Sequence, residues 1–268
     1  MNSSGWKVAL ASEIGTSHLS GGTPCQDFSL AKVLEGPNKE TLLYIVVADG
    51  AGSASRAERG AEIACTTVAN AIELHWAGGG SVDAIDRILA ARWIEQAREA
   101  IVEQAASEGL VPRDFACTLL FAVVGDNSSA FVQIGDGAIV VSGAPEDGWC
   151  WVHWPQRGEF ANTTYFVTDE AALDLFAFDL SKGRIEEVAV FTDGIERLAL
   201  HYASRSAHEP FFAGVFPPIR ALDAGGIDAG MSSALGRYLS SPKVCERTDD
   251  DKTLVLATRR SKIEASAA

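Results

Sequence analysis

Short apolar runs that stop at an aspartate are the feature of this sequence that most restricts its fold. Thr41–Ala48 (TLLYIVVA) is continuously apolar over the length of one strand and ends at Asp49-Gly50. Glu187–Thr192 (EVAVFT) ends in the same way at Asp193-Gly194. An uninterrupted run of this length is typical of a strand buried on both faces. Because such strands need cover on both sides, the sequence favours a layered fold.

The remaining pattern predicts further strands and two long helices. Arg56–Trp76 and Ser81–Glu108 have apolar residues at helical spacing, so each is predicted to cover a sheet with one face. The stretch between Leu198 and Val244 is mixed and predicts partial helix. Many strands with few helices favour an α+β fold, in which antiparallel sheets stack and helices pack outside. Further strands are predicted at Trp6–Ser12, Ala116–Val124, Ser129–Ile134, Ala138–Ser142, Trp149–Trp154, Tyr165–Thr168 and Thr253–Thr258.

Composition and charge restrict the domain organisation and the partners. No long linker and no repeat of fixed period interrupts the chain, which predicts one domain over residues 1–260 and a short tail over 261–268. The net charge of -14 repels phosphate backbones, so nucleic acid is not an expected partner. A signal peptide and an apolar run of membrane-spanning length are both lacking, which predicts a cytoplasmic protein without membrane association. The cysteines form no CxxC pair.

Four acidic sites lie next to these apolar runs. Besides Asp49 and Asp193, Ser129–Ile134 leads into Gly135-Asp136-Gly137, and Asp250-Asp251 stands just before the last strand. Strand ends that are distant in sequence can meet in stacked sheets, and clustered carboxylates repel one another unless a cation lies among them. Hard cations such as Mg²⁺ and Mn²⁺ take oxygen ligands. Each Asp-Gly alone is also a common hairpin turn, so the pattern by itself supports a metal-binding hydrolase of unspecified substrate.

Six short motifs occur along the chain in a fixed order: Pro24-Cys25-Gln26-Asp27, Val47-Ala48-Asp49-Gly50-Ala51-Gly52, Ala116-Cys117-Thr118, Ile134-Gly135-Asp136-Gly137, Phe191-Thr192-Asp193-Gly194 and Asp250-Asp251-Lys252-Thr253. Together they resemble the metal-dependent protein phosphatase family (PPM, or type 2C). The chain is most similar to the bacterial subgroup with a GTSH…PCQD opening, here Gly15–His18 to Asp27. The resemblance runs from about Gly15 to Ala257.

The resemblance implies a fold and a metal centre. The fold is a central sandwich of two antiparallel β-sheets flanked by helices, a four-layer αββα arrangement, with two Mn²⁺ or Mg²⁺ ions at one end. Carried over by motif, Asp49 bridges both ions and the Gly50 carbonyl ligates the second. Asp193 and Asp251 hold the first ion. Asp136 matches the position that, with Asp193, serves a third and looser ion.

The same resemblance implies an activity. Asp27 matches the carboxylate that supports the metal-bound waters, and Asp49, Asp193 and Asp251 are the implied catalytic residues. Water activated by two metals attacks the phosphorus of phosphoserine or phosphothreonine in a protein, in line and in one step. The implied partners are phosphorylated protein substrates and a Ser/Thr kinase that the enzyme opposes, and the expected state is a monomer.

Several positions depart from the family pattern. Gly21–Pro24 occupies the stretch where many members carry an arginine that grips the substrate phosphate. His18 and Arg56 are candidates for that role, although each also has a structural interpretation as a loop histidine and a surface helix charge. Lys252 stands where the motif has an asparagine after the implied ligand Asp251. The missing arginine leaves open an alternative, a pseudophosphatase of the same fold that serves as a binding or scaffold module.

Overall fold

The computed structural model describes residues 5–36, 40–144, 148–156 and 164–260. The predicted tail, 261–268, lies outside the described residues. Two β-sheets stack face to face, and helices cover both outer faces, which confirms the α+β sandwich of four αββα layers. Within the described residues, no helix is both long enough and apolar enough to span a bilayer.

One sheet has five strands in the order β2-β3-β4-β5-β8, and every neighbouring pair is antiparallel. Its interior strands are the longest apolar runs of the chain, because both of their faces are buried. The strands are β2 Phe28–Glu35, β3 Thr41–Ala48, β4 Leu119–Val124, β5 Ser128–Ile134 and β8 Ala177–Lys182.

The other sheet has six strands in the order β12-β1-β13-β9-β6-β7. All its pairs are antiparallel except the parallel two-residue contact between β1 and β12. Two further short strands, β10 Leu200–His201 and β11 Ser206–Ala207, form a separate hairpin. The six strands are β1 Lys7–Glu13, β6 Ala138–Ser142, β7 Cys150–Trp151, β9 Glu187–Phe191, β12 Gly226–Ile227 and β13 Lys252–Thr258.

Alternation along the central strands divides the core into three apolar layers. In β3, Leu43, Ile45 and Val47 lie between the sheets, whereas the intervening residues face the helices outside the five-stranded sheet. In β13, Val255 lies between the sheets and Leu254 faces the opposite helix layer. Successive strand side chains point to opposite faces, so burial on both faces explains why these runs have no polar alternation.

The two helix layers differ in length and regularity. The five-stranded sheet is covered by α2 Ala57–Ala77 and α3 Arg87–Glu108. The six-stranded sheet is covered by shorter helices, of which α6 carries two internal prolines. The remaining helices are α1 Thr16–Gly21, α4 Ala172–Leu175, α5 Asp193–Ala199, α6 Glu209–Arg220, α7 Ala229–Leu239 and α8 Pro242–Cys245.

Some predicted elements differ from the structure for local reasons. The helix predicted over Ser81–Glu108 begins only at Arg87, because the Asp86 carboxylate accepts a hydrogen bond from Leu89 N at 2.7 Å and caps it there. The strand predicted at Tyr165–Thr168 is wrong, because the Asp169 carboxylate accepts from Phe166 N at 2.8 Å and holds a turn. Of Trp149–Trp154, only β7 pairs as a strand.

Candidate metal centre

A cavity of about 380 Å³ opens at the end of the sandwich where several strands stop. Asp49 follows β3, Asp136 lies between β5 and β6, Asp193 follows β9, and Asp250 lies just before β13. The fold therefore brings four carboxylates from four distant parts of the sequence to one cavity. The other lining residues are Ser17, His18, Gln26, Gly50, Ala51, Gly52, Thr118, Thr164, Phe166 and Asp249.

The position of Asp49 is fixed by its own backbone. Its N–H donates to Thr118 Oγ1 at 2.9 Å, and its carbonyl accepts from Thr118 N at 2.8 Å. The next residue, Gly50, packs against the first turn of α2, where a Cβ would lie 2.7 Å from Ala57 Cβ. Real Cβ atoms do not approach so closely, so glycine is required for the chain to turn here beside the helix.

Asp193 is the first residue of α5, and the chain around it is packed as tightly as the chain around Asp49. A Cβ on the neighbouring Gly194 would overlap the Asp251 carbonyl oxygen, so only glycine lets α5 approach the start of β13. Thr192 joins this region to the buried Asp27, since its hydroxyl donates to Asp27 Oδ2 at 2.8 Å and accepts from Thr253 N at 3.1 Å. Asp27 lies beneath the cavity and does not line it.

Burial and mutual repulsion raise the pKa values of these carboxyls. Burial, and then the charges of Asp136 and Asp250, raise the pKa of Asp193 to about 7, although hydrogen bonds to Asp49 and to the Gly194 backbone act in the opposite direction. Burial and neighbouring carboxylates also raise the pKa of Asp49 well above its usual range. The pKa of Asp27 is raised to about 7, chiefly by burial. Burial is the largest cause of each shift, and the neighbouring carboxylates add to it.

The two adjacent aspartates before β13 have different surroundings. Asp250 is exposed and lines the cavity, whereas Asp251 is only 2% exposed and lies outside it. Both Asp251 oxygens accept backbone hydrogen bonds, Oδ1 from Gly15 N and Oδ2 from Gln26 N, each at 2.6 Å. The observed contacts therefore favour Asp250 over the predicted Asp251 as a residue that faces a metal.

The two candidates for phosphate binding, His18 and Arg56, lie in different places relative to the cavity. His18 lines the cavity, and its Nδ1 lies 2.9 Å from Asp251 Oδ2, without the alignment of a hydrogen bond. Arg56 does not line the cavity; its guanidinium is half exposed and pairs with Glu108 at 3.1 Å. Among the residues that the structure describes, the cavity has no arginine or lysine in its lining.

The residues present fit a divalent cation. Asp193 Oδ1 and Asp27 Oδ1 are buried without a hydrogen-bond partner, and carboxylate oxygens left in that state are destabilised unless a cation approaches. In the described part of the chain, no three acidic, histidine or cysteine side chains already stand at ligating spacing. The carboxylates thus line one cavity but do not converge on a single point within it. Their donor atoms are all oxygens, which suits Mg²⁺ and Mn²⁺.

Sequence reasoning did not single out Asp250, which lines the cavity together with Asp249. The run Asp249–Asp251 gave three adjacent candidates, and strand alternation says only that neighbours point in opposite directions. Which of them faces the cavity depends on the backbone amides of Gly15 and Gln26, which lie far away in sequence. Thr192 was missed too, because a hydroxyl that positions a buried carboxylate leaves no distinctive pattern.

Comparisons with known proteins agree with this geometry. The sequence model of the family described as Protein phosphatase 2C matches residues 14–240. The chain is 40% identical over 252 residues to Serine/threonine-protein phosphatase 3 of Escherichia coli (strain K12), covering 94% of this chain and 98% of that protein. The S. agalactiae serine/threonine phosphatase has a similar fold, with a TM-score of 0.62, 13% identity, and coverage of 94% and 99%. Stp1 from Staphylococcus aureus gives a TM-score of 0.57 at 14% identity, with 94% of each chain covered.

Proposed function

Because this chain belongs to the protein phosphatase 2C family, we propose that the carboxylate cavity is its metal-dependent active site. The chain is a protein-serine/threonine phosphatase, which hydrolyses phosphoserine and phosphothreonine in proteins. The observation that carries the assignment of the site is the meeting of Asp49, Asp136, Asp193 and Asp250 at one cavity. The comparisons do not support the alternative of a pseudophosphatase scaffold.

The proposed ligand set for two Mn²⁺ or Mg²⁺ ions is Asp49, the Gly50 carbonyl, Asp193 and Asp250. Asp250 replaces the predicted Asp251, because the Asp251 oxygens already accept backbone hydrogen bonds. Asp136, with Asp193, is the proposed site of a third ion. Asp27 has one buried oxygen without a partner, so we assign it a supporting role beneath the ligands.

When bound, the metal ions lower the pKa of water and neutralise charge on the phosphoryl oxygens. The protein residues supply position. Asp251 holds the amides of Gly15 and Gln26, and the Asp249 carbonyl accepts from Ser17 N at 3.0 Å and from Ser17 Oγ at 2.7 Å. These bonds fix the 15–26 segment, and with it His18, at the mouth of the cavity.

We propose that His18 contacts the substrate phosphate. It is the one residue lining the described cavity that can carry a positive charge, and its Nδ1 lies 2.9 Å from Asp251 Oδ2. That Arg56 binds the substrate phosphate remains a prediction, and its ion pair with Glu108 does not favour this role. Four further expectations remain proposals: a single domain over residues 1–260, a cytoplasmic location, a monomeric state and an opposing Ser/Thr kinase.

Hydrolysis of p-nitrophenyl phosphate and of a phosphothreonine peptide with Mn²⁺ tests this function. Asp49→Asn is expected to lower kcat/KM by at least about 10³-fold, because a carboxylate that would hold the metal ions is lost. Asp223→Asn, at an exposed position away from the cavity, is the matched control and should leave the rate unchanged. Metal-dependent turnover that is equal in wild type and Asp49→Asn would overturn the assignment of the site.

A further inference from the structure

A second and larger cavity, of about 810 Å³, lies on the outer face of the six-stranded sheet. Ala9 of β1 and Leu256 of β13 form its floor, and α5, α6, α7 and α8 form its walls. The wall side chains include Phe211, Val215 and Leu235. This volume is typical of pockets that hold small ligands, and its interior is mainly apolar.

The rim of this cavity has the opposite charge to the rest of the protein. Arg197, Lys243 and Arg247 stand on it together with His201 and His208, and no aspartate or glutamate lines it. Within the described residues, the three cationic side chains have no ion pair. Arg220, by contrast, is paired with Glu187. A concentration of unpaired positive charge is notable in a protein whose net charge is -14.

We propose that this cavity binds one free single-chain amphiphile with an anionic head group, such as a carboxylate on an aliphatic chain of about ten carbons. The apolar floor and walls remove the chain from water, and burial of each methylene contributes about 0.8 kcal/mol. The cationic rim neutralises the head. A small polar anion would leave the floor uncovered, and an uncharged hydrocarbon would leave the rim unused. The concave shape favours a single inserted chain over the surface of a bilayer.

The cavity lies close to the carboxylate site along the chain. Helix α5 begins at Asp193 and contributes Arg197 to the rim, and Arg247 precedes Asp250 by one short turn. An occupant of the cavity would therefore contact two elements that carry carboxylates of the proposed active site. This inference goes beyond the phosphatase function, and binding is measured without metal or substrate, so the two assignments can fail separately.

Calorimetric titration with decanoate, below its micelle concentration, tests the proposal on the full chain. Gly214 lines the cavity, and a Cβ there would meet nothing within 4 Å, so Gly214→Phe places a ring in the opening without a backbone clash. Ala213→Phe, at the exposed neighbouring position of α6, is its control. We expect one decanoate per chain, at least tenfold weaker binding to Gly214→Phe, and unchanged binding to Ala213→Phe.

The rim is tested with its own pair of variants and with a second probe. The triple substitution R197A/K243A/R247A should weaken decanoate binding at least tenfold, whereas Arg237→Ala, on the exposed face of α7, should not. Decanol should bind the wild type at least tenfold more weakly than decanoate. The proposal is overturned if the wild type takes up no decanoate, if Gly214→Phe binds it as the wild type does, or if decanol binds equally well.

Discussion

The two cavities of this protein share helix α5 but have opposite chemistry. The carboxylate cavity, at the N-terminal end of α5, has about 380 Å³ and is lined by aspartates whose repulsion a cation or a bound proton relieves. The apolar cavity, further along the same helix, has about 810 Å³ and unpaired cations on its rim. The larger cavity is not the one proposed to hold the reaction. The charge of the lining, more than the volume, determines what each cavity can take.

The largest expected effect concerns the two aspartates before β13. Asp250→Asn should lower Mn²⁺-dependent kcat/KM by about 10²- to 10³-fold, because it removes a carboxylate from the cavity lining. Steady-state kinetics with p-nitrophenyl phosphate over a range of Mn²⁺ concentrations measures the loss. Decanoate binding should stay unchanged, which would show that the two cavities are chemically separate.

Asp251→Asn is the matched variant for that experiment. An asparagine keeps one oxygen acceptor but replaces the other with an N–H₂ group facing Gln26 N or Gly15 N. The expected result is a loss of about 2 kcal/mol in the free energy of unfolding, with Mn²⁺ affinity reduced less than in Asp250→Asn. If Asp251→Asn loses Mn²⁺ and Asp250→Asn keeps it, the predicted Asp251 is the ligand after all.

The stability of the metal-free protein should depend on pH through the carboxylate cavity. The folded-state pKa values of Asp27 and Asp193, each about 7, lie above the ordinary value of 3.8, so the folded state binds more protons between these values. Stability should therefore fall as pH rises from about 4 to 7, by up to about 4 kcal/mol for each carboxyl. Urea unfolding in EDTA at pH 5 and pH 8 measures the difference.

Two results would sharpen the pH experiment. Saturating Mn²⁺ should restore stability at pH 8, since a cation compensates the ionised carboxylates. Asp193→Asn should reduce the slope in EDTA. If the metal-free protein is more stable at pH 8 than at pH 5, the inferred repulsion among the cavity carboxylates is refuted.

Glycine substitutions test how tightly each cavity is built. Gly194→Ala should lower the free energy of unfolding by about 3 kcal/mol, because its Cβ overlaps the Asp251 carbonyl oxygen. Chemical denaturation of the metal-free protein measures this value. A loss below about 0.5 kcal/mol would mean that α5 and β13 separate easily, and the close packing behind Asp193 would then be refuted.

The smallest effect is a gain on the apolar side. Gly214→Ala should raise the free energy of unfolding by about 0.5–1 kcal/mol, because alanine is a better helix former and its Cβ meets open space. The same denaturation experiment measures this gain, and Gly194→Ala, which is expected to lose stability, is the contrasting variant. Destabilisation by Gly214→Ala would show that the cavity beside α6 is narrower than described.

The carboxylate cavity was largely predictable from the sequence. Strand β3 was predicted with its observed bounds, and its apolar run stops at Asp49 because the strand leaves the core there. The same signal marked Asp193 and Asp136. The choice between Asp250 and Asp251 was not predictable, because it depends on amides of the 15–26 segment that only the folded chain brings near.

The apolar cavity was not predictable, for two physical reasons. Its walls are short helices, such as α5 and α8, whose pattern covers too few turns to show a period. In α6, Pro217 and Pro218 lie inside the helix, where prolines normally indicate its end. Strands β2 and β8 were missed because both are edge strands that are only partly buried, so neither forms a continuous apolar run.

The proposed metal site is tested most directly by the anomalous scattering of manganese in crystals grown at neutral pH with Mn²⁺. We expect peaks among Asp49, Asp193 and Asp250, with both Asp251 oxygens still accepting from Gly15 N and Gln26 N. Peaks ligated by Asp251, or no peak in a crystal whose cavity carboxylates are ordered, would contradict this expectation.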